Sequence, residues 1–333
     1  MSVRDLVVVG AGPAGLGVAI AAVEARLDCQ LLEKGVLVNS IFHFPPQMVF
    51  FTTPDLLEIG RLPFVTPYEK PTRHEALRYY RRVVDTYGLH IAFGEEVLGV
   101  EAELFGDEPV FVVETRDARG VRRGRHARAV VFAIGYYDHP NRLDIPGEEL
   151  PHVSHYYGDP HVHYRRRVLV VGGKNSAAIA ALELHRAGAL VTLVHRRETL
   201  SDRIKYWIRP DIDNRIKEGS VTAHFSARVV EIRPTTAMVE TSDGTVIEVP
   251  ADAVLLLTGY HPDFDMLVRA GITLGERRAP AFNPDTIETN VPGVYVAGGL
   301  VGGLDTGAIF IENGRFHGEK IVRSFLERAA RVV

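Results

Sequence analysis

Two glycine-rich turns in the sequence carry residue types that hold the phosphates of a dinucleotide. In the first, Gly10-Ala11-Gly12-Pro13-Ala14-Gly15, the glycines stand where a tight turn, a close backbone approach to pyrophosphate and close helix packing exclude a side chain. Glu33 follows Gly15 by 18 residues, at the place where a carboxylate accepts hydrogen bonds from ribose hydroxyls. Because a carboxylate suits an unphosphorylated ribose, this turn predicts an FAD site.

The second turn, Gly172-Gly173-Lys174-Asn175-Ser176-Ala177, repeats the spacing of the first. At the position that corresponds to Glu33, the chain has His195-Arg196-Arg197. Arginines there bind a 2′-phosphate through charge-assisted hydrogen bonds, whereas a carboxylate would repel it. The second turn therefore predicts an NADPH site, to which Lys205 adds a further positive charge.

Each phosphate turn requires a strand that leads into it and a helix that leads out of it. Short runs of apolar, β-branched residues precede both turns and predict buried parallel strands. The two strand–helix–strand patterns comprise residues 6–9, 14–26 and 28–33, and residues 168–171, 176–187 and 190–194. The helix N-terminus that follows each turn presents unpaired N–H groups to the phosphates. The predicted fold class is α/β, with two Rossmann-like, three-layer ββα dinucleotide-binding domains.

The rest of the sequence predicts further elements around these patterns. Residues 34–71 are rich in proline and aromatic residues and predict a long loop that passes over a cofactor. Residues 139–160 are rich in proline, histidine and glycine and predict a linker. The other predicted elements are a helix at 72–87, strands at 90–93, 97–104, 110–115 and 127–133 with an antiparallel insert, strands at 221–234, 237–249, 254–257 and 294–296, and a helix at 305–325 broken near Gly314.

Composition and charge argue against several classes of function. The 333 residues carry a net charge of −4, which predicts neither nucleic acid nor an anionic membrane as a partner. Cys29 is the only cysteine, so the chain has no internal disulfide and no Cys-x-x-Cys pair. No targeting segment is evident, and the expected compartment is the cytoplasm. No carboxylate or thiol accompanies His152, His155, His161 and His163 at ligand spacing, so no metal site is predicted.

The order of the motifs resembles the low-molecular-weight thioredoxin reductase superfamily of flavoproteins. Ala133-Ile134-Gly135 follows the first glycine turn, and Gly259-Tyr260 and Val296-Ala297-Gly298 follow the second turn and its arginines. The resemblance implies that an NADPH-binding domain, residues 139–261, is inserted into an FAD-binding domain, residues 1–138 and 262–333. It also implies a homodimer or a higher homo-oligomer.

Further motifs resemble the bacillithiol disulfide reductases within this superfamily. That family uses FAD and NADPH and lacks the redox cysteine pair of thioredoxin reductases, as this chain does. The motifs that carry the resemblance are Val38-Asn39-Ser40-Ile41, Phe50-Phe51, Leu57-Glu58-Ile59-Gly60, the second glycine turn, Gly259-Tyr260-His261-Pro262-Asp263 and Ile309-Phe310-Ile311-Glu312-Asn313-Gly314.

The motifs and the resemblance together assign two sets of cofactor-binding residues. The FAD set comprises Gly10, Gly12, Pro13, Ala14, Gly15, Glu33, Lys34, Asn39, Ser40, Phe51, Thr52, Val97, Ala133, Gly135, Gly298, Ala308 and Ile309. The NADPH set comprises Gly172, Gly173, Lys174, Asn175, Ser176, Ala177, His195, Arg196, Arg197, Lys205, Gly259 and Tyr260.

The resemblance implies that electrons pass from NADPH through FAD to a small disulfide such as bacillithiol disulfide. Ala14 stands where that family often has a cysteine, so electrons would leave the flavin without the help of an enzyme thiolate. His155 lies in the segment where the cysteine pair would stand and is a candidate proton donor to a leaving thiolate.

Two other functions stay open. A ferredoxin–NADP reductase of the thioredoxin-reductase-like type also lacks the cysteine pair, and its partner would be a small, acidic redox protein. A basic run of Arg119, Arg122, Arg123, Arg125 and Arg128 offers a docking face for such a protein. The other alternative is a non-catalytic flavoprotein that senses NADPH, since the missing sulfur permits it.

Overall fold

The computed structural model describes residues 3–106 and 108–332, and the chain divides into two compact units. Unit 1 comprises Met1–His139 and Tyr260–Val333, and unit 2 comprises Pro140–Gly259. Each unit contains one of the two glycine-rich turns. Which cofactor each unit binds stays a prediction.

The first segment of unit 1 builds the first glycine turn and its neighbours. Its elements are β1 (Arg4–Val9), α1 (Pro13–Glu24), β2 (Cys29–Glu33), α2 (Asn39–Phe42), α3 (Pro54–Leu57), α4 (Arg73–Tyr87), β3 (Ile91–Phe93), β4 (Glu95–Phe105), β5 (Glu108–Asp117) and β6 (Arg122–Phe132). The predicted helix at 72–87 is confirmed as α4. It begins at a capping box in which Thr72 Oγ1 accepts from Glu75 N–H and the Glu75 carboxylate accepts from Thr72 N–H.

Unit 2 and the returning segment of unit 1 complete the element order. Unit 2 contains β7 (Val153–Ser154), β8 (Arg167–Val171), α5 (Asn175–Arg186), β9 (Leu190–Val194), α6 (Arg209–Lys217), β10 (Val221–His224), β11 (Arg228–Ile232), β12 (Thr236–Glu240), β13 (Val246–Pro250) and β14 (Ala253–Leu256). The chain then returns to unit 1 with α7 (Phe264–Arg269), β15 (Val294–Val296), α8 (Ile311–Gly314) and α9 (His317–Val332).

The sheet of unit 1 combines a parallel core with an antiparallel extension. Its strand order is β3-β2-β1-β6-β5-β4, and β15 pairs with β6. β6 pairs in parallel with β1 through Phe132 and antiparallel with β5 through Arg122, so the predicted insert grows directly out of the core sheet. α1 and α9 cross closely, because a Cβ added to Gly318 would lie 2.5 Å from Gly17 O.

Unit 2 contains a parallel sheet and a separate antiparallel sheet. The parallel sheet has the order β10-β9-β8-β14-β7, and the antiparallel sheet has the order β11-β12-β13. Alternate residues of β8 face opposite sides, so Val168 and Val170 belong to one apolar cluster while Leu169 and Val171 belong to another. A parallel sheet covered on both faces is the expected setting of a dinucleotide turn. The α/β fold class is confirmed.

The prediction of a linker at residues 139–160 is wrong. Val153–Ser154 forms β7, which pairs in parallel with β14. Leu143, Ile145 and Leu150 pack against the apolar cluster beneath the sheet. Apolar residues scattered among prolines show no periodicity, so only the packed structure reveals that this segment belongs to the core of unit 2.

Three smaller expectations also need correction. The strand predicted at 221–234 is divided by Ser226, whose φ is +48°, into β10 and β11 of different sheets. The helix predicted from residue 305 begins only at Ile311, although the break near Gly314 is confirmed. The loop predicted at 34–71 contains the short helices α2 and α3. Within the described residues, no helix has both the length and the apolar character needed to cross a membrane.

Candidate dinucleotide-binding sites

The first glycine turn is tightly packed behind and open in front. A Cβ on Gly10, whose φ is +104°, would lie 2.6 Å from Ala133 O, and one on Gly15 would lie 2.0 Å from Gly10 O. A Cβ on Gly12 would meet nothing within 4 Å. The turn therefore excludes side chains where strand, turn and helix touch, and it leaves space at Gly12 where a pyrophosphate approaches the backbone.

Glu33, at the end of β2, is hydrogen-bonded to this turn. Its Oε2 accepts from Ala11 N–H over 2.9 Å, and its Oε1 accepts from Gly35 N–H over 2.8 Å. Burial raises the pKa of this carboxyl group, and the two backbone N–H groups partly oppose the rise. Each oxygen keeps a second lone pair, so the carboxylate is positioned to accept from ribose hydroxyls as well.

Most of the predicted FAD residues line one cavity in unit 1. They are Gly10, Gly12, Pro13, Ala14, Glu33, Lys34, Asn39, Ser40, Val97, Ala133, Gly135 and Gly298. The open face at Gly12 and the carboxylate at the strand end fit the pyrophosphate and ribose of FAD. Gly15 lies behind the turn, and Phe51, Thr52, Ala308 and Ile309 are not part of the lining.

Sequence reasoning missed several residues that line the same cavity. Asp138 lines it and forms an ion pair with Lys34 over 2.8 Å between Oδ2 and Nζ. Glu95 and Glu96 also line it. They directly precede the predicted FAD residue Val97, and this adjacency in the sequence could have identified them. The other missed residues include His139, Asp263, Met266, Phe310 and Arg315.

The strand end at Gly298 is held by a buried histidine. Gly298 N–H donates to His317 Nδ1 over 3.1 Å. A Cβ on Gly298 would lie 2.6 Å from the Cβ of Ala14, so residue 14 packs directly against this strand end. Burial, with a smaller effect of the Lys320 cation, lowers the pKa of His317 from 6.5 to about 4.

We expect His317 to make the protein less stable as the pH falls. Between pH 6.5 and about 4 the unfolded chain binds a proton that the folded protein excludes, so the free energy of unfolding falls by about 3 kcal/mol across that window. His317→Gln keeps an acceptor for Gly298 N–H and removes the titrating group. Urea unfolding at several pH values measures the effect, and equal pH slopes for wild type and variant would contradict it.

The second glycine turn is closed by a histidine ring instead of a carboxylate. A Cβ on Gly173 would lie 2.2 Å from the His195 ring, so this ring lies directly over the turn. Burial, followed by the Arg196 and Arg197 cations, lowers the pKa of His195. The neutral imidazole thus covers the turn, and this gives His195 a packing role beside its predicted contact with NADPH.

Arg196 and Arg197 are exposed beside this turn. Their backbone is fixed, because Ser226 N–H donates to Arg197 O over 2.9 Å and Ala227 N–H donates to His195 O over 3.1 Å. The guanidinium groups therefore extend from a rigid strand end into solvent, where an incoming phosphate is accessible to them.

A loop docks on the second turn and brings Lys205 to it. Asn175 Nδ2 donates to Arg203 O over 3.1 Å, and Asn175 Oδ1 accepts from Lys205 N–H over 2.9 Å. Lys174 stands at the N-cap position of α5 without a side-chain capping hydrogen bond, and Ser176 and Ala177 belong to the first turn of the helix. Asn175 therefore has a structural role in this loop besides its predicted one.

The last two predicted NADPH residues lie in different units. Gly259 belongs to unit 2, and its carbonyl accepts from Asn141 N–H over 2.9 Å. Tyr260 belongs to unit 1, where its ring centroid lies 4.5 Å from that of Tyr137. The structure therefore does not place Tyr260 in the unit that carries the second glycine turn.

His155 is part of a buried polar group within unit 2. Its Nε2 lies 3.3 Å from Glu148 Oε1, and the Glu148 carboxylate also accepts from Leu143 N–H and Asp144 N–H. Burial lowers the pKa of His155, and the Glu148 carboxylate opposes this shift. These contacts join the segment before β7 to His155, which directly follows β7, and the role of proton donor stays a prediction. The described residues contain no group of three or more potential metal ligands.

The basic run predicted as a docking face is largely neutralised. Arg122 pairs with Glu114, Arg123 with Asp117, Arg125 with Glu95, and Arg128 with Asp5 and Glu108. The acids come from β1, β4 and β5, so a local run of arginines did not reveal them. Four of these five arginines therefore form ion pairs on the sheet, and the use of the run as a docking face stays a prediction.

Two glycine-rich turns, each between a parallel strand and a helix, define a flavoprotein-like chain with two Rossmann-like units. The pyridine nucleotide-disulphide oxidoreductase family matches residues 7–298, and the chain belongs to this family. It is 38% identical to the bacilliredoxin reductase Bdr of Bacillus subtilis over 97% of each chain. It is an NADPH-dependent oxidoreductase that uses FAD, and the resemblance to bacillithiol disulfide reductases is confirmed.

Solved structures extend this similarity. The bacillithiol disulfide reductase Bdr from Bacillus cereus has a TM-score of 0.94 and 38% identity, covering 98% of this chain and 100% of that chain. The thioredoxin reductase of Lactococcus lactis has a TM-score of 0.77 at 22% identity, covering 98% of this chain and 99% of that chain. The second similarity concerns the fold alone.

Proposed function

We propose that the protein reduces bacillithiol disulfide, or a closely related small disulfide, with electrons from NADPH. In the overall reaction NADPH, one proton and one disulfide yield NADP⁺ and two thiols. The observation that carries the proposal is the full-length similarity to two proteins named for bacilliredoxin and bacillithiol disulfide reduction.

Each of the two glycine turns would bind one cofactor. In unit 1, Gly12 and Glu33 would hold the pyrophosphate and ribose of FAD, and in unit 2, Arg196 and Arg197 would hold the 2′-phosphate of NADPH. When bound, FAD supplies the redox chemistry by taking two electrons from NADPH and passing them to the acceptor. The chain itself positions both cofactors and contributes charge at their phosphates.

No enzyme thiol takes part in this proposal. Cys29 is the only cysteine, it is buried, and burial with the neighbouring Asp28 raises its pKa to about 12. A thiol with such a pKa is not a nucleophile near neutral pH, because the thiolate is the reactive form. Residue 14, an alanine packed against Gly298, offers no sulfur either.

Anaerobic stopped-flow absorbance tests the proposed acceptor. The flavin is reduced with one equivalent of NADPH and then mixed with bacillithiol disulfide, and we expect rapid flavin reoxidation. Cys29→Ala is the matched variant and should reoxidise at the wild-type rate. No reoxidation by the disulfide would contradict the proposal, and rapid reoxidation by ferredoxin alone would favour the ferredoxin–NADP reductase alternative.

Two further properties belong to the same proposal. We propose a homodimer, by analogy with low-molecular-weight thioredoxin reductases, which sedimentation velocity of the FAD-loaded protein tests. We propose the cytoplasm as the compartment, because a single buried cysteine suits a reducing environment, and cell fractionation tests this.

A further inference from the structure

A shallow pit in unit 2 joins two arginines that are distant in the sequence. Arg196 follows β9, Arg228 is the first residue of β11, and both line a pit with a volume of about 280 Å³. The other lining residues are Ser226, Ala227, Glu240, Thr241, Ser242 and Gly244. The pit therefore offers two cations and several hydrogen-bonding residues, and Arg196 directly follows His195, whose ring covers Gly173.

Backbone hydrogen bonds fix the segment that carries Arg228. Ser226 N–H donates to Arg197 O and Ala227 N–H donates to His195 O, over 2.9 and 3.1 Å. Residues 226–228 thus run directly beside residues 195–197. The backbone of Arg228 is therefore held near that of Arg196 by hydrogen bonds. Only the flexible Arg228 side chain has to extend to reach a phosphate bound at Arg196.

Glu240 sets the charge and the orientation in the pit. It lies opposite Arg228 in the β11–β12 pairing, and Arg228 Nε donates to its carboxylate. The nearby acid Asp243 is engaged in its own turn, where it accepts from Thr241 Oγ1 and Thr245 N–H. The lining of the pit thus contains two guanidinium groups and one carboxylate, a net positive charge that favours an anion.

We propose that Arg228 is a specificity-determining residue that binds the 2′-phosphate of NADPH together with Arg196, and that Glu240 positions it. The proposal rests on the proposed NADPH site at the second glycine turn. It goes beyond that site because Arg228 belongs to a different sheet from β9, the strand that leads into His195-Arg196-Arg197. The ligand class is a 2′-phosphorylated adenosine.

This arrangement predicts effects of opposite sign for the two partners. Arg228→Ala removes a cation and leaves the Glu240 carboxylate to repel a 2′-phosphate. Glu240→Gln removes the repelling charge and releases Arg228 from its ion pair. The affinity for the 2′-phosphate therefore rises. A pair that only stabilised the sheet would not shift the preference for a 2′-phosphate in opposite directions.

Isothermal titration of the FAD-loaded protein with adenosine 2′,5′-bisphosphate and with AMP measures this preference without turnover. We expect Arg228→Ala to lower the ratio of the two affinities about tenfold, with AMP binding nearly unchanged, because a charge-assisted hydrogen bond is lost. Glu240→Gln should raise the same ratio about threefold. The Arg228 side chain is 71% exposed, so its removal leaves the fold intact.

Arg233→Ala is the matched control, because Arg233 forms an exposed pair with Glu231 and does not line the pit. A ratio for Arg228→Ala equal to that for Arg233→Ala would overturn the inference. In that case Arg196→Ala/Arg197→Ala separates two causes. If the double variant loses the preference, only the role of Arg228 is wrong, and if it keeps the preference, the NADPH site itself is wrong.

Discussion

Replacing Arg196 and Arg197 together by alanine is expected to raise the KM for NADPH about 100-fold and to leave the KM for NADH within about twofold. Both side chains extend from a backbone fixed by residues 226 and 227, so they meet a 2′-phosphate without a large ordering cost. Charge-assisted hydrogen bonds contribute about 1.5–3 kcal/mol each, and solvent exposure places these two near the lower value. NADH lacks the phosphate and makes neither contact.

Steady-state turnover over a range of nucleotide concentrations measures this effect for each cofactor. Arg186→Ala is the control, since Arg186 is the exposed last residue of α5 and pairs with Asp211 in α6. It should change neither KM. An equal rise in KM for NADPH and NADH would contradict the prediction that Arg196 and Arg197 bind the 2′-phosphate. It would mean that the arginines only stabilise the glycine turn.

Replacing Glu33 by glutamine is expected to weaken FAD binding by about 2–3 kcal/mol, roughly 30- to 150-fold. The carboxylate accepts from Ala11 N–H and Gly35 N–H at once. An amide supplies one acceptor oxygen, and its NH₂ group then faces the other backbone N–H donor. The variant therefore loses a hydrogen bond of the turn and an acceptor for the ribose together.

The FAD-to-protein ratio after desalting, followed by titration of the apoprotein with FAD, measures this loss. Glu24→Gln is the control, because Glu24 is an exposed carboxylate at the end of α1. The melting temperature of apo Glu33→Gln at rising FAD concentration separates weak binding from misfolding. A dissociation constant for FAD that is equal in Glu33→Gln and wild type would refute the role of this residue.

Local sequence predicted the parts of the fold that repeat over short distances. The strand–turn–helix pattern around Gly10 and Gly15 is confirmed, and so is the matching pattern in unit 2. In each pattern the strand, the turn and the helix follow one another directly, so spacing over about 30 residues suffices to predict them. The contact that fills the space behind Gly10, with Ala133, comes from a distant strand and was not predictable in this way.

Local sequence did not predict which charged residues pair with each other in the folded protein. The basic run offered a docking face, yet Arg123 on β6 pairs with Asp117 on the neighbouring β5, and Arg125 on β6 pairs with Glu95 on β4, two strands away. Glu148, an unremarkable acid in a supposed linker, accepts two backbone N–H groups and contacts His155. The arginine pairs are set by strand pairing, and the Glu148 contacts are set by the turn in which Glu148 lies. Local composition encodes neither.

The sequence by itself determined the α/β class, the two phosphate turns and the different charges at their strand ends, Glu33 and His195-Arg196-Arg197. Tertiary structure alone decided that the His195 ring covers Gly173, that residue 14 packs against Gly298, and that Arg228 reaches the pit of Arg196. The reason is physical. A glycine or a charge at a strand end is specified by steric and electrostatic needs within one motif, whereas neighbours from distant strands meet only when the sheets pack.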